Sequence, residues 1–280
     1  MDFVKNWKVF LIGLFAFNAV AAPGTGKYFD RAIFVIFENA NYSSVIQQPF
    51  FKLLAEKGAN FSNFYALTHP SQGNYIALTS GDLQGVWSDG RYDIDAENIV
   101  DLLEAKGRTW KVYAEDYPEN CFVGSSSKGY VRKHNPFISY LNIQKDPRRC
   151  ANIVNADRFD RDAADGSLAD YVFYIPDMNN DGHDTGVAYA DKWYGKKFGS
   201  YISNARFMEN TIVISTFDES GGYFGWNQIY TSIVGPMIKP GDYPAEYTLP
   251  SLLRLVEENW DLGDLGKKDR TANPIQGIWQ

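Results

Sequence analysis

The chain has 280 residues, of which 45% are apolar and 22% charged, a balance that excludes a disordered polypeptide and leaves ample material for a core. Its 34 Asp and Glu against 27 Lys and Arg give a formal net charge of −7, which argues against a dedicated nucleic-acid binder, since such proteins carry a basic surplus. Aromatic residues reach 16%, which suits a rigid exported enzyme and a carbohydrate or lipid binder equally.

The first segment reads as an address. Lys5 and Lys8 precede an apolar run from Val9 to Phe17, and Ala19-Val20-Ala21 supplies the small residues a signal peptidase requires. A membrane anchor would need about 20 apolar residues, and Asn18 and Pro23 end this run too early. A buried N-terminal helix is the other alternative. Residues 1–22 are therefore expected to be a signal peptide and residues 23–280 a single domain, secreted or, in a Gram-negative host, periplasmic. No later stretch is long enough for membrane insertion. Cys121 and Cys150 would then meet an oxidising environment and pair, closing a loop of about 30 residues worth roughly 3–4 kcal/mol. Two isolated cysteines lack zinc-ligand spacing or a nucleophile signature. Asn41-Tyr42-Ser43 and Asn60-Phe61-Ser62 fit the glycosylation sequon.

Beyond the leader, Arg31–Phe37 (RAIFVIF) is a β-branched and aromatic run expected to be a buried strand. A helix is predicted over Pro49–Lys57, stopped by Gly58, then a strand over Ala59–Tyr65. Ser71–Ser80 reads as a helix ended by Gly81, and Ala96–Lys106 as a helix closed by Gly107. Thr109–Ala114 is a short strand. Residues 115–169 are polar and poorly periodic, which predicts a long excursion pinned by the disulfide. Asp170–Ile175 is another strand, Val187–Arg206 a helix, Thr211–Thr216 the most apolar strand and Tyr230–Val234 a further one. Leu249–Trp260 closes the series as an amphipathic helix with Leu252, Leu253 and Val256 inward. Apolar strands alternating with helices imply an α/β fold with a mostly parallel sheet covered on both faces.

In such sheets chemistry sits beyond the carboxyl ends of the strands. Glu38-Asn39 follows the first strand, Pro176 to Asp184 follows DYVFYI, and Phe217-Asp218-Glu219-Ser220-Gly221-Gly222 follows TIVIST. Glu38, Asn39, Asp218 and Glu219 are hard oxygen donors that could converge on one divalent cation and relieve the repulsion of massed carboxylates. Either pair alone could equally cap a helix or a turn. Jointly, with Gly221-Gly222 permitting close backbone approach, they favour a metal site. Ser71, at the start of a helix, is either an N-cap or a phosphoryl-transfer nucleophile on a positive dipole end. The three histidines are His69, His134 and His183. The latter two are candidates for polarising phosphoryl oxygens or protonating a leaving group, and so few imidazoles speak against a two-zinc cluster. No G-x-S-x-G elbow, Walker A loop or H-E-x-x-H motif occurs.

The succession Phe37-Glu38-Asn39, HPSQGNYIALTSG (69–81), YVRKHNPFISY (130–140), DMNNDGHDTGVAYADKW (177–193) and TFDESGG (216–222) resembles the secreted acid phosphatase and phospholipase C-type phosphoesterases, a branch of the alkaline phosphatase superfamily. HPS-x-x-NY and NDGHDT place the acid-phosphatase members nearer. The resemblance covers essentially the whole chain after the leader. It implies an α/β/α sandwich and one divalent cation held by Glu38, Asn39, Ser71, Asp218 and Glu219. It further implies Ser71 as nucleophile and His134 and His183 in contact with the phosphoryl group. The expected activity is hydrolysis of a small phosphomonoester through a phosphoserine. A phospholipase C-like diesterase and a non-catalytic secreted binding domain are the alternatives.

Overall fold

A computed structural model describes residues 25–222 and 225–280; the expected signal peptide lies outside them. The elements that place the site are β1 (Arg31–Phe37), α1 (Pro49–Lys57), β2 (Ala59–Asn60), α2 (Gln72–Ser80), α3 (Ile99–Ala105), β3 (Trp110–Ala114), β4 (Ile153–Asn155), β5 (Tyr171–Ile175), α4 (Val187–Ile202), β6 (Thr211–Phe217), β7 (Thr231–Val234), β8 (Gly241–Asp242) and α5 (Leu249–Trp260). The strands form one sheet in the order β8-β2-β7-β6-β1-β5-β3-β4. From β6 to β4 every pairing is parallel. β7 runs antiparallel to both β6 and β2, and β8 returns parallel to β2.

All seven residues of β6 and all but Arg31 of β1 are buried, because a parallel strand is covered on both faces. Alternation divides the aromatic residues between the two faces. Phe37 meets Phe51 of α1 and Tyr194 of α4, whereas Phe34 stacks on Phe173, which in turn meets Phe137. The fold is thus α/β, with a mostly parallel central sheet and flanking helices. Among the described residues no helix is long and apolar enough to cross a membrane. Leu252, Leu253 and Val256 of α5 are buried as expected, and Cys121 and Cys150 form the disulfide, with Cα atoms 5.5 Å apart.

Three expectations need correction. The strand expected over Ala59–Tyr65 breaks at a Ser62-Asn63 turn; only β2 joins the large sheet, and Phe64–Tyr65 pairs with Tyr247–Thr248 instead. Ser and Asn favour turns because their side chains compete for backbone partners, and here Ser62 donates to Asp242. The segment 115–169 is not wholly an excursion, since β4 becomes an edge strand of the main sheet beside β3. Three residues are too few to show alternation in the sequence. α4 ends at Ile202 rather than Arg206, because Asn204 Oδ1 accepts the N–H groups of Arg206 and Phe207 and turns the chain.

The register decides where the chemistry gathers. Phe37 pairs with Phe217, so Glu38 and Asp218 emerge side by side, and the Asp218 N–H donates to the Phe37 carbonyl at 2.9 Å. On the other side of β1 the Glu38 N–H donates to the Asp181 carbonyl at 3.0 Å, tying in the loop after β5.

Candidate active site

Glu38 is the hub, 1% exposed. Its Oε1 accepts the Tyr75 hydroxyl at 2.7 Å, and its Oε2 accepts Ser71 Oγ–H at 3.1 Å and the Asn39 amide at 3.2 Å. Asn39 has φ 51°, left-handed backbone that an asparagine tolerates better than most residues. Its N–H thereby donates to Asp218 Oδ1 at 3.1 Å. A Cβ on Gly221 would come within 3.1 Å of the Asn39 carbonyl, whereas one on Gly222 would meet nothing. Only the first of the two glycines is required for close approach.

Ser71 is not a conventional N-cap. It already has helical φ −44° and ψ −53°, and its side chain makes no capping bond. Its hydroxyl lies instead between Glu38 Oε2 and Glu219 Oε1, the latter at 3.2 Å. One O–H serves only one acceptor at a time, so it cannot satisfy both carboxylates. Tyr75 lies one turn further along the same helix face. Asn74 fastens the approach to the site: its Oδ1 accepts Leu67 N–H and Thr68 N–H at 2.9 and 3.1 Å, and its amide donates to the Thr68 carbonyl at 2.8 Å. That loop delivers His69, whose Nδ1 is 2.6 Å from Glu219 Oε2.

His134 is fully buried, with Nε2 3.0 Å from Glu38 Oε1 and Nδ1 3.3 Å from Asp181 Oδ2. Neither contact has hydrogen-bond geometry, so Tyr75 remains the donor at Oε1. The Tyr75 ring stacks on the imidazole at 5.2 Å. Burial holds His134 well below the usual histidine range, with the nearby Lys133 charge adding to the shift. His183 stands at the rim, hydrogen-bonded to Asp184 at 2.8 Å, with its ring 6.3 Å from that of His134.

The acids crowd one another out of water. Burial, then the Asp218 and Asp181 charges, raise Glu38 well above the carboxylate range. Burial, then Glu219, does the same for Asp218. Burial pushes Glu219 and Asp181 each up to about 7. Such shifts mark carboxylates short of positive charge.

Residues 38–263 match the phosphoesterase family. The chain belongs to that family. It is 36% identical to a probable acid phosphatase of Kluyveromyces lactis, over 92% of this chain and 64% of that one. It is 34% identical to an acid phosphatase of Aspergillus fumigatus, over 90% and 59%. It therefore spans roughly three fifths of the length of these relatives. Its fold is similar to a solved structure from the alkaline phosphatase superfamily, from Vibrio parahaemolyticus, with a TM-score of 0.61 at 16% identity, covering 91% of this chain and 72% of that one.

In this member of the family the donors of Glu38, Asn39, Ser71, Asp218 and Glu219 are all hard oxygens, which suits a divalent cation such as magnesium, manganese or calcium. Asp218 Oδ2 is buried with no hydrogen-bond partner, a group for which such a cation would account. Among the described residues no three of His, Cys, Asp and Glu stand close enough together to enclose an ion as they lie; Ser71 and Asn39 are the polar groups between the acids.

Glu38, Asn39, Ser71, His134, Asp218 and Glu219 fall in or beside this cluster, with His183 the most peripheral. His69, Tyr75 and Asp181 were not singled out from the sequence. Tyr75 carried a usable signal, the i, i+4 spacing from Ser71, and Asp181 lies two residues before His183.

Proposed function

We propose that this chain is an exported phosphomonoesterase, with residues 23–280 forming one catalytic domain and Ser71 as its nucleophile. The observation that carries the reading is the placement of the Ser71 hydroxyl, freed from capping and held between Glu38 and Glu219. Similarity to fungal acid phosphatases supports it, and the disulfide suits export.

Glu38, Asn39, Ser71, Asp218 and Glu219 would hold one divalent cation. When bound, such an ion lowers the hydroxyl pKa and offsets charge on the phosphoryl oxygens. Ser71 Oγ would give its proton to Glu38 or Glu219 and attack phosphorus in line, breaking the ester P–O bond and releasing the protonated alcohol; water then cleaves the phosphoserine to inorganic phosphate and restores the serine hydroxyl. Tyr75 and Asn39 fix the Glu38 carboxylate by donating to it from two sides. His134, expected from the sequence to meet the phosphoryl group, is walled in by Glu38 and Asp181 and would support those carboxylates instead. His183 at the rim would meet the phosphoryl oxygens or protonate the leaving oxygen.

Ser71→Ala should fold normally and lose phosphomonoesterase activity by about 10³-fold or more, since a covalent step is removed. Full activity in that variant would end the assignment. Chelation followed by metal repletion, assayed on a monoester and on a phosphocholine diester, checks the cation and the ester class together. Preferential diester turnover would move the reading to a phospholipase C-like activity, and a chain inert on both to a binding domain.

A further inference from the structure

The centre holds a surplus of negative charge that the proposed residues do not balance. Glu38, Asp218 and Glu219 bring three carboxylates, a divalent cation offsets two charges, and a phosphomonoester arrives with about 1.5 to 2 more. A dianion entering such a cleft needs a fixed positive charge at the mouth.

Lys133 is tied to the start of the serine's helix through Asp89. It directly precedes His134, whose ring lies against Glu38. Its Nζ is 2.8 Å from Asp89 Oδ2, with the lysine side chain 20% exposed, so it is held but reachable. The other oxygen of the same carboxylate, Asp89 Oδ1, accepts the backbone N–H of Gln72 at 3.1 Å. Gln72 is the residue after Ser71, and its Oε1 in turn accepts the Gly90 N–H at 2.8 Å. One small carboxylate thus spans from the ammonium of Lys133 to the amide adjoining the nucleophile. The Lys133 charge also bears on Glu38 and Glu219. The neighbouring Arg132 is committed elsewhere, to Asp93 and the Val123 carbonyl.

Resting on the phosphomonoesterase reading, we infer that Lys133 is the residue that binds the non-reacting phosphoryl oxygens of the substrate, with Asp89 as the positioning residue that aims it. Lysine serves here as a point charge on phosphate.

The test compares Lys133→Gln, Lys133→Arg and Asp89→Asn with the unmodified chain, using a phosphomonoester as substrate and inorganic phosphate as inhibitor. Lys133→Gln should raise KM and the phosphate inhibition constant together, by about tenfold, while kcat falls by less than about threefold. Lys133→Arg should restore most of that affinity, and Asp89→Asn should raise KM by a smaller factor. A merely structural lysine would not give this split or this rescue. In the unmodified protein, inorganic phosphate should protect Lys133 from acylation as read by mass spectrometry, which decides the matter even if Lys133→Gln does not fold. Unchanged KM in folded Lys133→Gln, or equal labelling with and without phosphate, overturns the assignment. A fall in KM on Asp89→Asn would make that residue a competitor for Lys133 rather than its holder. An unmodified chain that turns over no phosphate ester fails the phosphatase reading, whereas an active chain indifferent to Lys133→Gln fails this one alone.

Discussion

At the scale of single residues, the site depends on who donates to Glu38. Tyr75 gives its hydroxyl to Oε1 at 2.7 Å inside a fully buried environment, where a lost donor is not replaced by water. Tyr75→Phe should therefore cost about 1–3 kcal/mol of stability in a urea titration and lower kcat/KM by about tenfold. A variant equal to the parent in both would show that Glu38 does not rely on this bond. The acids and Ser71 could be read from the sequence because each sits at a chain position with its own local signature, a strand end or a helix start. His69 and Asp89 could not, since their meaning lies in a partner supplied by another element: Glu219 and Lys133 respectively.

Elements position what residues perform. The loop 67–70 delivers His69 and Ser71, and Asn74 of α2 secures it through three hydrogen bonds to Leu67 and Thr68. Asn74→Ala leaves two backbone N–H groups short of a partner, while the Thr68 carbonyl keeps the Asn227 amide. It should lower stability by about 2–4 kcal/mol, seen as a reduced thermal midpoint. Its activity below that midpoint should fall further than the unfolded fraction explains. Strands long enough to show a continuous apolar run, such as β1 and β6, matched the sequence within a residue, as did α1 and α5. The failures were β4 and the broken Ala59–Tyr65 run. In both, two or three residues take their conformation from a neighbouring strand rather than from their own pattern. The antiparallel direction of β7 was likewise invisible, because a buried strand carries no mark of its polarity.

At the scale of the whole molecule, a further carboxyl is buried on α5, outside the proposed site. Glu257 of α5 is 2% exposed, and neither of its oxygens accepts a hydrogen bond. Burial, then the Asp269 charge, push its carboxyl up to about 9 from an ordinary 4.5. A raised acid keeps its proton in the folded state after the unfolded chain has lost it. Its stabilising contribution is thus complete below pH 4.5 and is lost as pH climbs to about 9. Glu257→Gln removes that slope. The variant should match the parent in acid and exceed it increasingly above pH 4.5, by on the order of 1 kcal/mol per pH unit. Urea midpoints across pH 4 to 9 check this, and a constant offset would contradict it.

The same region sits behind the serine. α2 packs on α5, the Lys268 N–H donates to the Gly81 carbonyl at 3.0 Å, and a Cβ on Gly81 would come within 2.5 Å of Asp269 Oδ1. The last portion of the polypeptide is in effect the breech against which the attacking group is braced. A protease nick there would loosen the support of α2, and with it the aim of the serine.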